Sequence, residues 1–512
     1  MKWLSLVALW LSFVSAPAAA EWRAYETDHF IIYSESPADR VNELATRLES
    51  YDRLMRMATN IGKSDPVKVR IFELPDMAAV QKAAWAANSG VAGFYSSNIM
   101  GPYLVTPRRA DPGARYFTPE LVLQHEYAHH FMLQYFPAIY PSWYVEGFAE
   151  LIGSSTYMKD GTIRYGEPAR HRGNDIVADW VPLQELLTRE RVTYFDTYGQ
   201  GWALTHFLTF DKTRSAQLRH FLALLKSGVA LPEASKTAFG DLQALNQEAR
   251  RYAGSGSFPV RPVKVDIEGP VVKSVRALSP AEAALIPEAA AFTDYDLSAI
   301  RKVGDRERAR RNRQQLLETI RKKAAGFPSD PYAFYLLAEA EYVVGNRAEA
   351  TRAAEQVSAL DPNHVRAMFR RSVLLAESAR TLPSGERQQR AAEARQLALR
   401  ANKLDPNDPL PLLAYYQSFN LAGERPTAQA VTALESAQAT LPDNDVVRLL
   451  LVEQYARDNS LTKAMAMLMP LANSPHDSPQ RTAARERMAQ LRVQAGKAPD
   501  VSSTAIPALA GK

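Results

Sequence analysis

Apolar and polar positions change their period several times along this chain, and those changes outline its elements. WRAYETDHFIIYSE, at 22–35, alternates and is rich in aromatic and β-branched residues, which predicts a strand. ADRVNELATRLESYDRLMRMATNIG follows, with apolar residues three and four apart, and predicts a helix ended by Gly62. VKVRIFEL (67–74) reads as a second strand and MGPYLVTPRR (100–109) as a third. From Thr118 onward helical spacing dominates. Thr118-Pro119-Glu120 is an N-cap followed by proline at the first helical position, so a helix is expected over 119–135. FPAIYPSW then places two prolines that should end it, with a second helix beginning near Ser142.

SGSFPVRPVKVDIEGPVVKSVRALSP, from Ser255 to Pro280, is dense in Gly and Pro and suggests a linker with short extended pieces. Beyond it the chain repeats. Ala350, Ala394 and Ala430 are each followed twelve residues later by a proline, Pro362, Pro406 and Pro442; Ala464 and Pro475 form a weaker copy. Small residues at helical spacing, closed by proline, let paired helices pack closely. In the first copy Phe334, Leu337, Ala338, Gly345, Ala350 and Pro362 resemble the tetratricopeptide pattern. ESARTLPSGERQQR lengthens the second copy. The expected organisation is a leader at 1–20, an α+β domain at 21–254, a linker at 255–293, an α-helical repeat domain at 294–495 and a tail at 496–512.

At 512 residues two or three domains are expected. The first residues give one lysine, an apolar run from Trp3 to Ala16, and Ala18-Ala19-Ala20, the layout of a secretory signal peptide cleaved before Glu21. The run is short for a membrane span, and no later stretch is long and apolar enough for one. An exported chain, periplasmic or secreted, is therefore expected, and it contains no cysteine with which to form disulfides. A net charge of +5 says little about partners, and no nucleic-acid partner is expected. The basic stretch Arg301–Lys323 reads as a solvated helix.

The chemistry concentrates in LQHEYAHHFMLQYFPAIYPSWYVEGFAELIG, Leu123–Gly153. On a helix, His125 and His129 lie on one face about a turn apart, so both imidazoles can reach one zinc ion. Glu126 sits beside the first and can hold a metal-bound water and take its proton. His130 is rotated away from that face. A bare H-E-x-x-H arises by chance in roughly one chain per hundred of this length. The third ligand decides, and Glu146, in the first turns of the next helix, should face the histidines.

HEYAH followed by WYVEGFAE resembles the gluzincin metallopeptidases, and especially the thermolysin-like domain of the M1 aminopeptidases and their peptidase-MA-like relatives. The resemblance implies one Zn²⁺ per chain held by His125, His129 and Glu146, Glu126 as general base, and Glu150 as a second acid beside a ligand histidine. It also implies an oxyanion-donating tyrosine opening a later helix: Tyr198 in TYFDTYGQG, with Tyr194 as the alternative. His206 is read as a core or cleft residue. The M1 enzymes carry a Glu on the strand before HExxH, where VAGFYSSNIMGPYLVTPRR has no acid. An endopeptidase is therefore expected over an aminopeptidase, with GPYLV as an edge strand for an extended peptide. The expected function is an exported zinc metallopeptidase whose repeats recruit protein substrates or partners. The alternative is an envelope chaperone or scaffold with a non-catalytic metal domain, acting through its repeats. Hydrolysis of a non-peptide amide is a third reading with the same chemistry.

Overall fold

A computed structural model describes residues 21–62, 67–86, 91–109, 118–136, 140–173, 175–176, 180–188, 194–472 and 479–497. The expected leader and most of the expected tail lie outside the described residues. The first part of the chain runs β1 (Arg23–Glu26), β2 (Phe30–Ser34), α1 (Ala38–Thr59), β3 (Val69–Leu74), α2 (Met77–Ala83), β4 (Phe94–Asn98) and β5 (Gly101–Pro107). Next come α3 (Pro119–Tyr135), α4 (Ser142–Gly153), β6 (Thr156–Tyr157), β7 (Thr162–Tyr165), α5 (Leu183–Leu186) and α6 (Tyr194–Phe210). Helices α7 (Lys212–Lys226), α8 (Leu231–Phe239) and α9 (Leu242–Gly254) complete this region, before β8 (Arg261–Lys264), β9 (Ser274–Ala277) and α10 (Pro280–Ala290).

Six strands form one mixed sheet in the order β4-β5-β3-β2-β1-β9, with β2–β3 and β3–β5 parallel. Successive residues of a strand face opposite sides, and here both sides are apolar. Tyr25, Phe30, Ile32, Ile71 and Leu104 pack into a core shared with α1, α3, α4 and α6. Ala24, Phe72, Tyr103 and Val105, their immediate neighbours in sequence, enter a second core shared with α2, α10 and the C-terminal helices. The sheet is thus the layer between two helical masses.

Two expectations change here. GPYLV is not an edge: β5 is buried along its whole length between β4 and β3, and β4 is the outer strand. Strand order is set by long-range pairing, which a local pattern does not encode. The segment expected to be a linker supplies β9, which pairs antiparallel with β1, and α10, which opens with a capping box formed by Ser279 and Glu282.

The remaining helices are α11 (Val303–Ala324), α12 (Pro331–Val344), α13 (Arg347–Leu360), α14 (Val365–Ala379), α15 (Ser384–Leu404), α16 (Leu410–Asn420), α17 (Ala428–Thr440), α18 (Asp445–Arg457), α19 (Leu461–Ala472) and α20 (Pro479–Lys497). From α12 on they form hairpins, and the alanine pattern explains how. Ala350, Ala394, Ala430 and Ala464 lie in α13, α15, α17 and α19, the second helix of each hairpin, and all are fully buried. A methyl group at the crossing lets the backbones approach. Pro362, Pro406 and Pro442 each stand two residues past a helix end, where proline cannot continue the helix. Pro475 lies outside the described residues. Gly345 ends α12 at φ 104°, a conformation that favours glycine. The array is a TPR-like helical-repeat fold. The basic stretch at 301–323 is mostly α11, where Arg321 pairs with Glu341 at 2.6 Å and Lys323 with Glu288 at 2.7 Å.

Candidate metal centre

Helix α3 begins where Thr118 caps it, its hydroxyl accepting from the Leu121 N–H at 3.2 Å. That start fixes the face on which His125 and His129 fall. Their Nε2 atoms are 3.1 Å apart, and Glu146 Oε2, arriving from α4, is 3.4 Å from the first and 3.6 Å from the second. The side chains therefore converge as the spacing predicts. Around a zinc ion with bonds near 2 Å, tetrahedral ligand atoms lie about 3.3 Å from one another. The three observed separations bracket that edge, and the donor set of two imidazoles and one carboxylate suits zinc. The residues fit the ion.

A close crossing of α4 with α6 sets the depth of Glu146. A Cβ on Gly147 would lie 2.3 Å from both the Gly201 carbonyl oxygen and Thr205 Oγ1. Bare glycine on both helices lets them touch backbone to backbone, and it brings Tyr198, one turn before Gly201, beside the histidines. The Tyr198 and His125 rings are 6.0 Å apart at 21°, and Arg172 covers the tyrosine ring at 4.2 Å. Tyr198 is thus a wall of the centre. The Tyr194 side chain lies outside the described residues.

Around the centre the charges are ordered. Glu150 is buried, with Oε2 2.7 Å from His171 Nε2 and Oε1 accepting from Arg172 Nε at 2.9 Å. His125 Nδ1 stands 3.6 Å from Glu150 Oε1, an ion-pair distance longer than a hydrogen bond. Burial works against the Glu150 carboxylate, yet His171, His125 and Arg172 hold its pKa down at about 2. Burial likewise opposes the His125 imidazolium, but Glu146, Glu150 and Glu126 outweigh it and raise His125 to about 9. Glu146 is held well below the carboxylate range because the two imidazoles overcome its desolvation. Three carboxylates, of Glu146, Glu150 and Glu126, thus act on His125. His171 and Arg172 escaped sequence reasoning; the basic run ARHRG (169–173) was their one signal.

The remaining candidates have structural partners. Glu126 is partly buried, and its Oε2 accepts from the Tyr95 backbone N–H of β4 at 3.0 Å. Desolvation raises its pKa against the pull of His125 and His129. His130 points away from the ligand face, as expected; its Nδ1 lies 3.1 Å from the Tyr95 hydroxyl, and burial lowers its pKa to about 3. His206 is a core residue, its Nε2–H donating to the Gly166 carbonyl at 2.9 Å while Tyr252 OH donates to Nδ1 at 2.7 Å.

A second cluster gathers ligand-type atoms: His29 beside β2, with Glu49 and Asp52 on α1. Here His29 Nδ1 is 2.7 Å from Glu49 Oε2. Glu49 Oε1 accepts from Thr27 Oγ1 at 2.6 Å and from the His29 backbone N–H at 2.9 Å. Asp52 accepts from Arg56 Nε at 2.6 Å and from Tyr127 OH at 2.7 Å.

Against known proteins the chain matches no family model and no curated protein. Among solved structures it is similar to TTC0263, a thermophilic TPR protein of Thermus thermophilus, at 22% identity over 38% of this chain and 96% of that one, with a TM-score of 0.32. It is similar to yeast Tom70 at 12% identity over 72% and 69% of the two chains, with a TM-score of 0.25. A MamA RS-1 double mutant matches at 15% over 40% and 98%, with a TM-score of 0.24.

No gluzincin is among the three solved structures named, and the peptidase reading is corrected accordingly. The resemblance to gluzincin metallopeptidases, the separate gluzincin-like domain, the peptide hydrolase favouring endopeptidase cleavage, and its protein substrate are withdrawn. With the enzyme goes the reading of a non-peptide amidase. The physical reason is that HExxH and a following glutamate specify a ligand set and not a reaction. Glu126, the expected base, accepts from the backbone of β4, and Tyr198, the expected oxyanion donor, has the His125 ring at 6.0 Å and the Arg172 guanidinium at 4.2 Å.

Proposed function

We propose that this chain is a partner-binding scaffold whose repeat array takes a protein partner and whose α+β region carries a non-catalytic zinc centre. The carrying observation is the run of helical hairpins from α12 to α19, stacked on fully buried alanines. Such stacks present extended surfaces on which proteins dock. The convergence of His125, His129 and Glu146 supports one Zn²⁺ per chain, which would stitch α3 to α4 and hold the sheet-facing helices in register. No described helix is long and apolar enough to cross a membrane. With the leader ending at Ala20, the reading places the scaffold outside the cytoplasm, in the cell envelope or secreted.

The test places a photo-crosslinking residue at exposed array positions Arg352, Leu399 and Arg425, and at exposed Met57 and Met158 of the α+β region. Irradiated in cells, the array positions should capture the same discrete protein and the other two should not. Absence of any discrete adduct along the array would overturn the scaffold reading.

A further inference from the structure

The turn between α17 and α18, Leu441–Asn444, reaches out of the repeat array and seats on the outer strand of the sheet. Asp443 accepts a hydrogen bond from the Tyr95 hydroxyl. Asn444 Nδ2 donates to the Asn98 carbonyl at 3.2 Å. Gln134 Nε2 of α3 donates to the Thr440 carbonyl at 3.4 Å. Strand β4 is an edge, and an edge exposes backbone groups that its one neighbour does not use. Here Asn444 takes the Asn98 carbonyl and Glu126 takes the Tyr95 N–H. Besides the direct bond from Gln134, Tyr95 links the array to the metal-bearing helix: its hydroxyl meets Asp443, and its backbone meets Glu126, next to His125.

We infer that the α17–α18 turn is a latch that closes β4 over the metal centre and couples the array to it. The turn is rigid in itself. Arg448 donates to the Pro442 carbonyl and, at 2.9 Å, to that of Met467. Gln438 Nε2 donates to Pro442 O at 3.1 Å, and the Asn444 side chain caps α18 at the Val447 N–H, 3.1 Å. Its grip on the sheet is weaker, resting on a few side-chain bonds. Asp443 Oδ1 is buried without a hydrogen-bond partner among the described residues. Burial, with the neighbouring Asp445 adding to it, raises Asp443 to about 7 against the opposing pull of its own backbone N–H and of Arg448. Desolvation also raises Asp445 to about 6, and Asp294, which accepts from the Ile99 N–H at 2.6 Å beside β4, to about 6. A rigid piece held by a few side-chain bonds releases as a unit. A protein partner that shifts α17 and α18 would lift the turn, uncover β4 and loosen the tie on Glu126.

The metal half of this inference rests on the zinc centre proposed above; the latch on β4 does not. The test uses the full chain and the double variant Asp443→Ala/Asn444→Asp, which keeps the α18 cap and removes the turn's two side-chain bonds to β4. Amide exchange across 94–98 should rise about tenfold while α18 is unchanged; equal protection in both proteins overturns the latch. Gln134→Ala, a gentler change, should give a smaller rise in the same segment. Zinc transfer to a chelator should also be about tenfold faster from the double variant than from the wild type, starting from equal zinc per chain. Equal transfer rates with faster exchange at β4 would overturn the coupling to the metal. A wild type that holds no zinc would sink the metal centre alone, with exchange at β4 still deciding the latch.

Discussion

Two clusters in this chain bring a histidine together with carboxylates, and they end differently. In the first, His125, His129 and Glu146 aim their nearest atoms at one point and at one another. In the second, His29, Glu49 and Asp52 have protein donors: Thr27, the His29 backbone, Tyr127 and the guanidinium of Arg56. Arg56 pairs with Asp52 at 2.6 Å, a fixed cation covalently part of the fold. The residue types are the same. What separates a metal centre from a buried ion-pair network is whether the chain supplies its own positive charge. Glu49 and Asp52 sit three apart on α1 with Arg56 one turn further, so that charge is delivered by the same helix. Helix α3 brings no basic side chain but histidine to its centre, and the outer cation, Arg172, is spent on Glu150.

The largest effect that separates the two clusters is metal content. Glu146→Ala should lower zinc affinity by more than about 100-fold, taking zinc by mass spectrometry from about one per chain to almost none. Glu49→Ala should leave zinc content unchanged. If instead Glu49→Ala lost the metal and Glu146→Ala kept it, the assignment of the two clusters would be reversed.

Next in size is the stability of the second cluster. Asp52 and Arg56 are both buried, so Asp52→Ala leaves a guanidinium without its carboxylate and should cost about 3–5 kcal/mol in urea unfolding. Zinc per chain should stay at the wild-type level in the folded variant. A loss below about 1 kcal/mol would mean that water reaches Arg56 and that the network is not closed.

What the sequence revealed and concealed follows the same division between local and distant causes. The N-cap at Thr118, the pairing of His125 with His129 and the approach of Glu146 were legible because helix geometry over a few residues determines them. So were the buried alanines at 350, 394, 430 and 464, and the prolines that stop three of those helices. Long-range pairings were not legible. That β4 and not β5 forms the edge depends on strand order, and that β9 joins β1 depends on residues about 250 apart in the chain. His171 and Arg172 reach Glu150 from a separate turn, and Asp443 meets Tyr95 across 348 residues. The peptidase expectation failed at another level, since a short motif fixes ligands and says little about what the bound ion does.

Glu150 offers a finer separation. It meets the metal centre at His125, 3.6 Å away, and is anchored by His171 and Arg172. Glu150→Gln should weaken zinc binding 10–100-fold, as loss of an orienting partner does, while Glu146→Gln weakens it further. Equal losses in the two would make Glu150 a ligand in its own right.

The smallest effect is the pH dependence contributed by the second cluster. Burial pulls the His29 pKa down, but the Glu49 hydrogen bond and the charges of Asp52 and Glu49 prevail and raise it above 6.5. Burial pushes Glu49 up, but His29 and Thr27 prevail and hold it below 4.5. A raised histidine stabilises fully below its unfolded pKa and loses that contribution as pH climbs through the folded value. A depressed carboxylate stabilises above its unfolded pKa and loses its contribution as pH falls through the folded value. The pair is therefore most stabilising between 4.5 and 6.5. The difference in unfolding free energy between wild type and His29→Gln should be about 1 kcal/mol near pH 5.5 and should shrink by about pH 9. Titration of the metal centre affects both proteins alike and cancels in that difference. A difference that stays flat with pH would mean that His29 is neutral throughout, leaving Arg56 as the cluster's one cation.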